Sequence, residues 1–147
     1  MIILHYFHTK KGASVFYSYP KKLIDITIVK NISRLIDIGV DDGYTILVEK
    51  NKYIYNFYFE IYSEWARGNK EMLLLSLILN KRPSSEKEKQ VIEKCYNFIN
   101  NLKSNKDIFM GLYSNDNIKF KDNIVNCIKN DVIIKLMIKK LFKDIEV

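Results

Sequence analysis

Along this chain the apolar positions follow two periods. In some stretches apolar and polar residues exchange at every position, the mark of a half-buried strand. In others they recur every three to four residues, the mark of an amphipathic helix. Ile2–His8 is rich in β-branched and aromatic residues, has no breaker, and predicts a strand. A turn at Thr9-Lys10-Lys11-Gly12 and a second strand at Ala13–Tyr19 complete a hairpin, which Pro20 ends because it cannot donate to a ladder. Lys21–Ile38 contains the strand-like run IDITIV. At about 100° per residue, however, Ile24, Ile28, Val29, Ile32, Leu35 and Ile36 share one arc. Thr27, Lys30, Asn31, Ser33, Arg34 and Asp37 share the opposite arc, so a helix is predicted, stopped by Gly39. Leu23 and Ile26 break this pattern by falling on the polar side.

After a turn at Asp41-Asp42-Gly43, strands are predicted at Tyr44–Glu49 and Tyr53–Ile61, joined by Lys50-Asn51-Lys52. In the second of these, Tyr53, Tyr55, Phe57, Phe59 and Ile61 alternate onto one face, while Ile54, Asn56, Tyr58 and Glu60 form a mixed one. A polar interruption around Trp65 then gives way to Met72–Leu79, the most apolar segment. It shows no alternation and predicts a central strand buried on both faces. Ser85 and Glu88 have capping-box spacing, and Val91, Ile92, Cys95, Tyr96, Phe98, Ile99 and Leu102 form the apolar arc of a helix ending near Lys103. Ser104–Asn117 reads as an irregular link with one helical turn at Asp107–Leu112. A last helix is predicted over Ile118–Asp144. Its first half is amphipathic through Ile124, Val125, Ile128 and Val132. Its second half, VIIKLMIKKLF, is apolar almost all round, so it is either deeply buried or covers a partner.

The order is β-β-α-β-β-β-α-α. Strands joined by short turns are antiparallel neighbours, and helices on both sides would cover the sheet. The expected fold is α+β: a three-layer α/β/α sandwich around a five-stranded antiparallel sheet, as one domain over residues 1–147.

Composition narrows this little. With 147 residues, 48% of them hydrophobic, and only five glycines and two prolines, the chain has core-forming material and almost no linker. A net charge of +7 suits nucleic acid or anionic lipid, but the lysines are scattered, and solubility is the simpler explanation. Cys95 and Cys127 form no CxxC and read as buried thiols of a reducing compartment. The opening residues lack a basic leader, and the longest apolar run is far below the roughly 20 residues that span a bilayer. A cytoplasmic protein is expected, with at most peripheral membrane contact.

The search for chemistry yields little. His5 and His8, three apart in a strand, point to opposite faces, so a shared metal is not expected and satisfied or exposed histidines are the default. Ser14 and Ser18 have no His/Asp pattern beside them. Arg67-Gly68-Asn69-Lys70 lacks the phosphate-cradling spacing and precedes a strand rather than a helix. Asp41, Asp42 and Glu49 are better explained by turn chemistry. The aromatic strand Tyr53–Phe59 lacks the motif of base-stacking RNA-binding sheets, so nucleic-acid binding is disfavoured. No catalytic residue, cofactor or metal is expected, and the chain reads as a non-enzyme.

The hairpin HYFHTKKGASVFYSYP resembles the opening of longin domains: a strand, a Lys-Gly turn, and an aromatic strand ending in proline. The stretch YFEIYSEWARGNKEMLLLSLIL is similar to longin-like proteins of archaea that carry eukaryote-type trafficking genes. The resemblance, which extends to the related roadblock and profilin-like folds, spans the whole chain. It implies a strand order 2-1-5-4-3 and a non-catalytic adaptor or regulator in vesicle trafficking. It also implies a partner that is a small GTPase, another longin- or roadblock-type subunit, or a second copy in a homodimer. No SNARE heptad follows, so a SNARE role is not expected. The alternative is a basic binding module for anionic membrane or nucleic acid.

Two surfaces carry the expected partner contacts. One is the outer side of the first helix, where Leu23 and Ile26 stand beside Lys30 and Arg34 as an apolar centre with a charged rim. The other is the loop holding Trp65 and Arg67, residue types common at binding hot spots. Beside that stands the simpler reading in which Trp65 is tucked over the sheet edge.

Overall fold

The computed structural model describes residues 1–8, 10–22, 25–38, 43–115 and 121–146. Five strands, β1 (Ile2–His8), β2 (Gly12–Tyr19), β3 (Tyr44–Glu49), β4 (Lys52–Tyr62) and β5 (Lys70–Leu79), form one antiparallel open sheet in the order β2-β1-β5-β4-β3. The described α-helices are α1 (Ile26–Ile38), α2 (Ser85–Ser104) and α3 (Ile124–Glu146). Short 3-10 turns occupy Arg67–Asn69, Ile108–Tyr113 and Lys121–Asn123. The expectations for Thr9, Leu23, Ile24, Gly39, Asp41, Asp42 and residues 118–120 lie outside the described residues.

β5 is in the middle, and its composition explains why. Successive side chains of a strand point to opposite faces, and here both sets are apolar. Leu73, Leu75 and Leu77 pack with Ile2, Leu4, Tyr55 and Phe57 and with the inward residues of α2 and α3, such as Cys95, Phe98, Ile134 and Ile138. Leu74 joins Ile3 and Ile54 with Ile28, Ile32 and Ile36 of α1. Each such side chain, removed from water, contributes about 1.5–3 kcal/mol. The one fully buried polar position of β5 is bonded: the Ser76 hydroxyl donates to Asn56 Oδ1 at 2.7 Å, and Asn56 Nδ2 donates to the Ile54 carbonyl at 3.3 Å.

Three helix boundaries differ from the periodicity reading, each for a local reason. α1 begins at Ile26 rather than Lys21, because Asp25 accepts the Thr27 N–H at 2.8 Å and pairs with Lys50, fixing the start there. α2 is capped by Ser84 rather than Ser85: its Oγ accepts the Lys87 N–H at 3.3 Å, while the Glu88 carboxylate accepts from the Tyr55 hydroxyl. α3 begins at Ile124, and the apolar arc expected to face inward there does not. Val125, Ile128 and Val132 are exposed, and Cys127, Asn130 and Ile134 are buried instead. The cause is the 3-10 turn Ile108–Tyr113, which packs on α3 through Gly111. A Cβ on that glycine would sit 2.7 Å from the backbone of Asn130 and of Asp131.

His5 and His8 do lie on opposite faces. His8 is beside Tyr6, and its Nδ1 accepts the N–H groups of Lys10 and Lys11 at 3.1 and 3.2 Å. His5, opposite Leu74 on the α1 side, is fully buried with neither ring nitrogen bonded. Burial pushes its pKa down from 6.5 to about 4.

Two outcomes follow. Gly111→Ala should lower stability by about 1–3 kcal/mol through backbone overpacking, read from the urea midpoint. His5 stays neutral in the fold below the pH at which the unfolded chain protonates it. The stability it supports is therefore complete above pH 6.5 and lost as pH falls toward 4. Relative to His5→Leu, the wild-type chain should lose about 3 kcal/mol across that window, measured by denaturant unfolding at each pH.

Candidate protein-binding surfaces

On α1 the inward positions Ile28, Ile32 and Ile36 leave Ile26, Lys30 and Arg34 on the outside, four residues apart along one line. Ile26 is 70% exposed. Leu23, expected to complete this patch, lies outside the described residues. The helix is tied to edge strand β3 and its turn. Asn31 Nδ2 reaches both oxygens of Glu49 at 2.9 and 3.0 Å, and Lys50 pairs with Asp25. β3 has one neighbour, β4, and so keeps a free edge. Its face away from α1 carries Tyr44, Ile46 and Val48, all substantially exposed. α1 thus lies over β2, β1 and β5 and meets β3 at the β3–β4 turn, through Asn31–Glu49 and Asp25–Lys50. Periodicity alone found the α1 positions. The exposure of β3 was hidden, because its alternation does not say which helix fails to reach it.

The Trp65 loop is narrower than its composition suggested. The β4–β5 ladder continues to Tyr62↔Lys70, leaving residues 63–69 as the connection. Ser63 organises it: Oγ accepts the N–H groups of Trp65 and Ala66 at 3.3 and 3.2 Å, and Ser63 N–H donates to the Asn69 carbonyl at 3.0 Å. Gly68 and Asn69 turn the chain with positive φ of 77° and 59°. Trp65 is half-buried, edge-on to Phe109 and Tyr113 with ring centroids 5.2 and 5.3 Å away. Arg67 is exposed beside it. The two expected contact residues of this loop therefore differ: the Trp65 ring is engaged by the 3-10 turn, and Arg67 faces solvent.

Beneath the loop lies a carboxylate that sequence reasoning did not single out. Glu71 is buried on the α2–α3 side of β5, where Ser63 Oγ donates to its Oε1 at 2.9 Å and the Tyr113 hydroxyl donates to the same oxygen. Desolvation raises its pKa above 4.5, while the two hydroxyls and the charge of nearby His8 pull the other way. The only sequence signal was a glutamate at the mouth of an apolar strand. A cleft of about 450 Å³ opens beside the loop between Tyr62, Glu64, Lys103 and Lys106.

Cys95 and Cys127 are buried free thiols, and burial pushes Cys95 up to about 12. Among the described residues no three His, Cys, Asp or Glu side chains gather within metal-binding reach. No helix there is long and apolar enough to cross a membrane. A scan against protein-family models finds no match, and neither does a search of curated protein sequences.

Glu71 yields a pH signature opposite in sign to that of His5. Its proton is held more tightly in the fold than in the unfolded chain. Wild-type stability relative to Glu71→Gln should therefore fall as pH rises from 4.5 through the raised value. Urea unfolding of both proteins over that range reads the difference.

Proposed function

We propose that this chain is a non-catalytic, longin-like adaptor that works by binding another protein through the outer side of α1 or the free edge of β3. The single observation carrying this reading is the exposed Ile26–Lys30–Arg34 line on the outer side of α1, an apolar residue rimmed by cations on a helix whose inner face is closed against the sheet. The β2-β1-β5-β4-β3 order supports it, with α1 against one face and α2 and α3 against the other. Together these favour a three-layer α/β/α sandwich of longin type. In such an arrangement the first helix and the edge strand are the natural place for a second sheet or a switch region to dock. An apolar residue rimmed by cations is suited to a partner that buries the first and answers the second. The partner class is a second longin- or roadblock-type subunit, including a copy of this chain, or a small GTPase in a trafficking process.

The test has two arms. Light scattering over a concentration series reads the homomeric arm. Calorimetry with a small GTPase loaded with a non-hydrolysable GTP analogue reads the heteromeric one. Leu23→Glu with Ile26→Lys should abolish whichever assembly the wild-type chain forms, because buried unpaired charges are not tolerated at an interface. A monomer at high concentration with no GTPase binding overturns the reading, as does a double variant that assembles unchanged.

A further inference from the structure

We propose that the outward face of α3 is a peripheral docking surface for anionic lipid bilayers. Four aliphatic side chains stand out from it: Val125 is 74% exposed, Ile128 53%, Val132 50% and Leu136 57%. Spaced three, four and four residues apart, they form one ridge along the helix, roughly 16 Å long at 1.5 Å per residue. Their exposure is enforced from the other side, where the 3-10 turn Ile108–Tyr113 occupies the face carrying Cys127, Asn130 and Ile134.

The charge along this ridge is mostly positive. By helical geometry Lys129 and Lys140 lie along one flank, Lys135 and Lys139 along the other, and Lys143 extends the line of the ridge. Lys135 and Lys139 run over aromatic rings of β2, with Nζ 5.6 Å from the centroid of Tyr17 and 5.8 Å from that of Tyr19. Between Val125 and Lys143 the only acidic residue is Asp131, and Lys135 neutralises it at 2.8 Å. Lys129, Lys140 and Lys143 are exposed beside the apolar strip, Lys139 is half-buried over Tyr19, and the exposed carboxylates of Asp122 and Asp144 stand at the two ends of the helix.

An apolar ridge rimmed by lysines fits an interfacial helix lying in the plane of a bilayer, with its aliphatics at the acyl boundary and its ammonium groups among anionic headgroups. The alternative occupant is a partner helix with acidic flanks. Area decides against it: a stable protein interface takes about 800 Å² from each side, far more than four side chains in single file. A membrane adds to the ridge the long-range attraction of a chain carrying +7. The face lies across the sheet from α1, so this inference does not depend on the adaptor reading.

Vesicle flotation tests it with the full chain, using phosphatidylcholine with and without phosphatidylserine. Wild-type protein should float with the anionic vesicles only. Ile128→Ser with Leu136→Ser, and separately Lys140→Glu with Lys143→Glu, should each lower partitioning at least about tenfold. The control, Lys52→Glu with Lys81→Glu, takes the charge from +7 to the same +3 at the start of β4 and in the β5–α2 connection, and should keep most of the binding. All six positions lie outside the buried core, and a thermal melt verifies that each variant is folded. Failure of the wild-type chain to float overturns the proposal. So does equal binding to neutral vesicles, equal loss in the control, or undiminished binding by the serine variant. An absence of flotation together with capture of an acidic amphipathic helical peptide would assign the ridge to a protein partner instead.

Discussion

A strand without a polar face has to be covered twice, and the rest of this molecule follows from that requirement. β5 places Leu73, Leu75 and Leu77 on one side and Leu74 on the other, all at the centre of the sheet. Water must be excluded from both sides at once. α1 supplies the cover on one, through a single line of isoleucines. The other needs two helices and a 3-10 turn, because β4 adds Tyr55, Phe57, Phe59 and Ile61 to the surface to be hidden. The asymmetry between a light cover and a heavy one originates in the uneven faces of β4.

The polar groups trapped between these layers are treated in two ways. Asn56 and Ser76 satisfy each other across neighbouring strands, and Glu71 accepts from two hydroxyls, so their burial is largely compensated. His5 has no such compensation, and its two ring nitrogens are left to an apolar setting. β1 therefore contributes both core residues, Ile2, Ile3 and Leu4, and an uncompensated buried histidine. The Glu71 network does more than satisfy a carboxylate. It joins the end of β5 to Ser63 and Tyr113, and thereby to the two ends of the contact that holds Trp65.

The strands were largely legible because a period of two, punctuated by Gly12, Pro20 and Lys50-Asn51, is a local signal. The inward residues of α1 and α2 were legible for the same reason. What the sequence concealed was non-local. Ser84 and Ser85 are equally good caps on paper, and the loop entering α2 chooses between them. On α3 the hydrophobic pattern offers an arc at Val125, Ile128 and Val132, but no pattern can announce that Gly111, some twenty residues earlier, lets another segment press against the opposite side. The same limit applies to Trp65: its type suggests an anchor, and only Phe109 and Tyr113 reveal what it rests on. Of the surface positions singled out from sequence, Ile26, Lys30, Arg34 and Arg67 do stand exposed.

The helices on the two sides of the sheet give the molecule a fixed thickness. α1 packs on one face of the sheet and α2 and α3 on the other, so the outer sides of α1 and α3 look away from each other. The intervening sheet, fully paired across its middle strands, cannot be compressed or sheared without breaking its ladders. Whatever rests on one side is held clear of whatever rests on the other, at a separation set by the packing rather than by a linker.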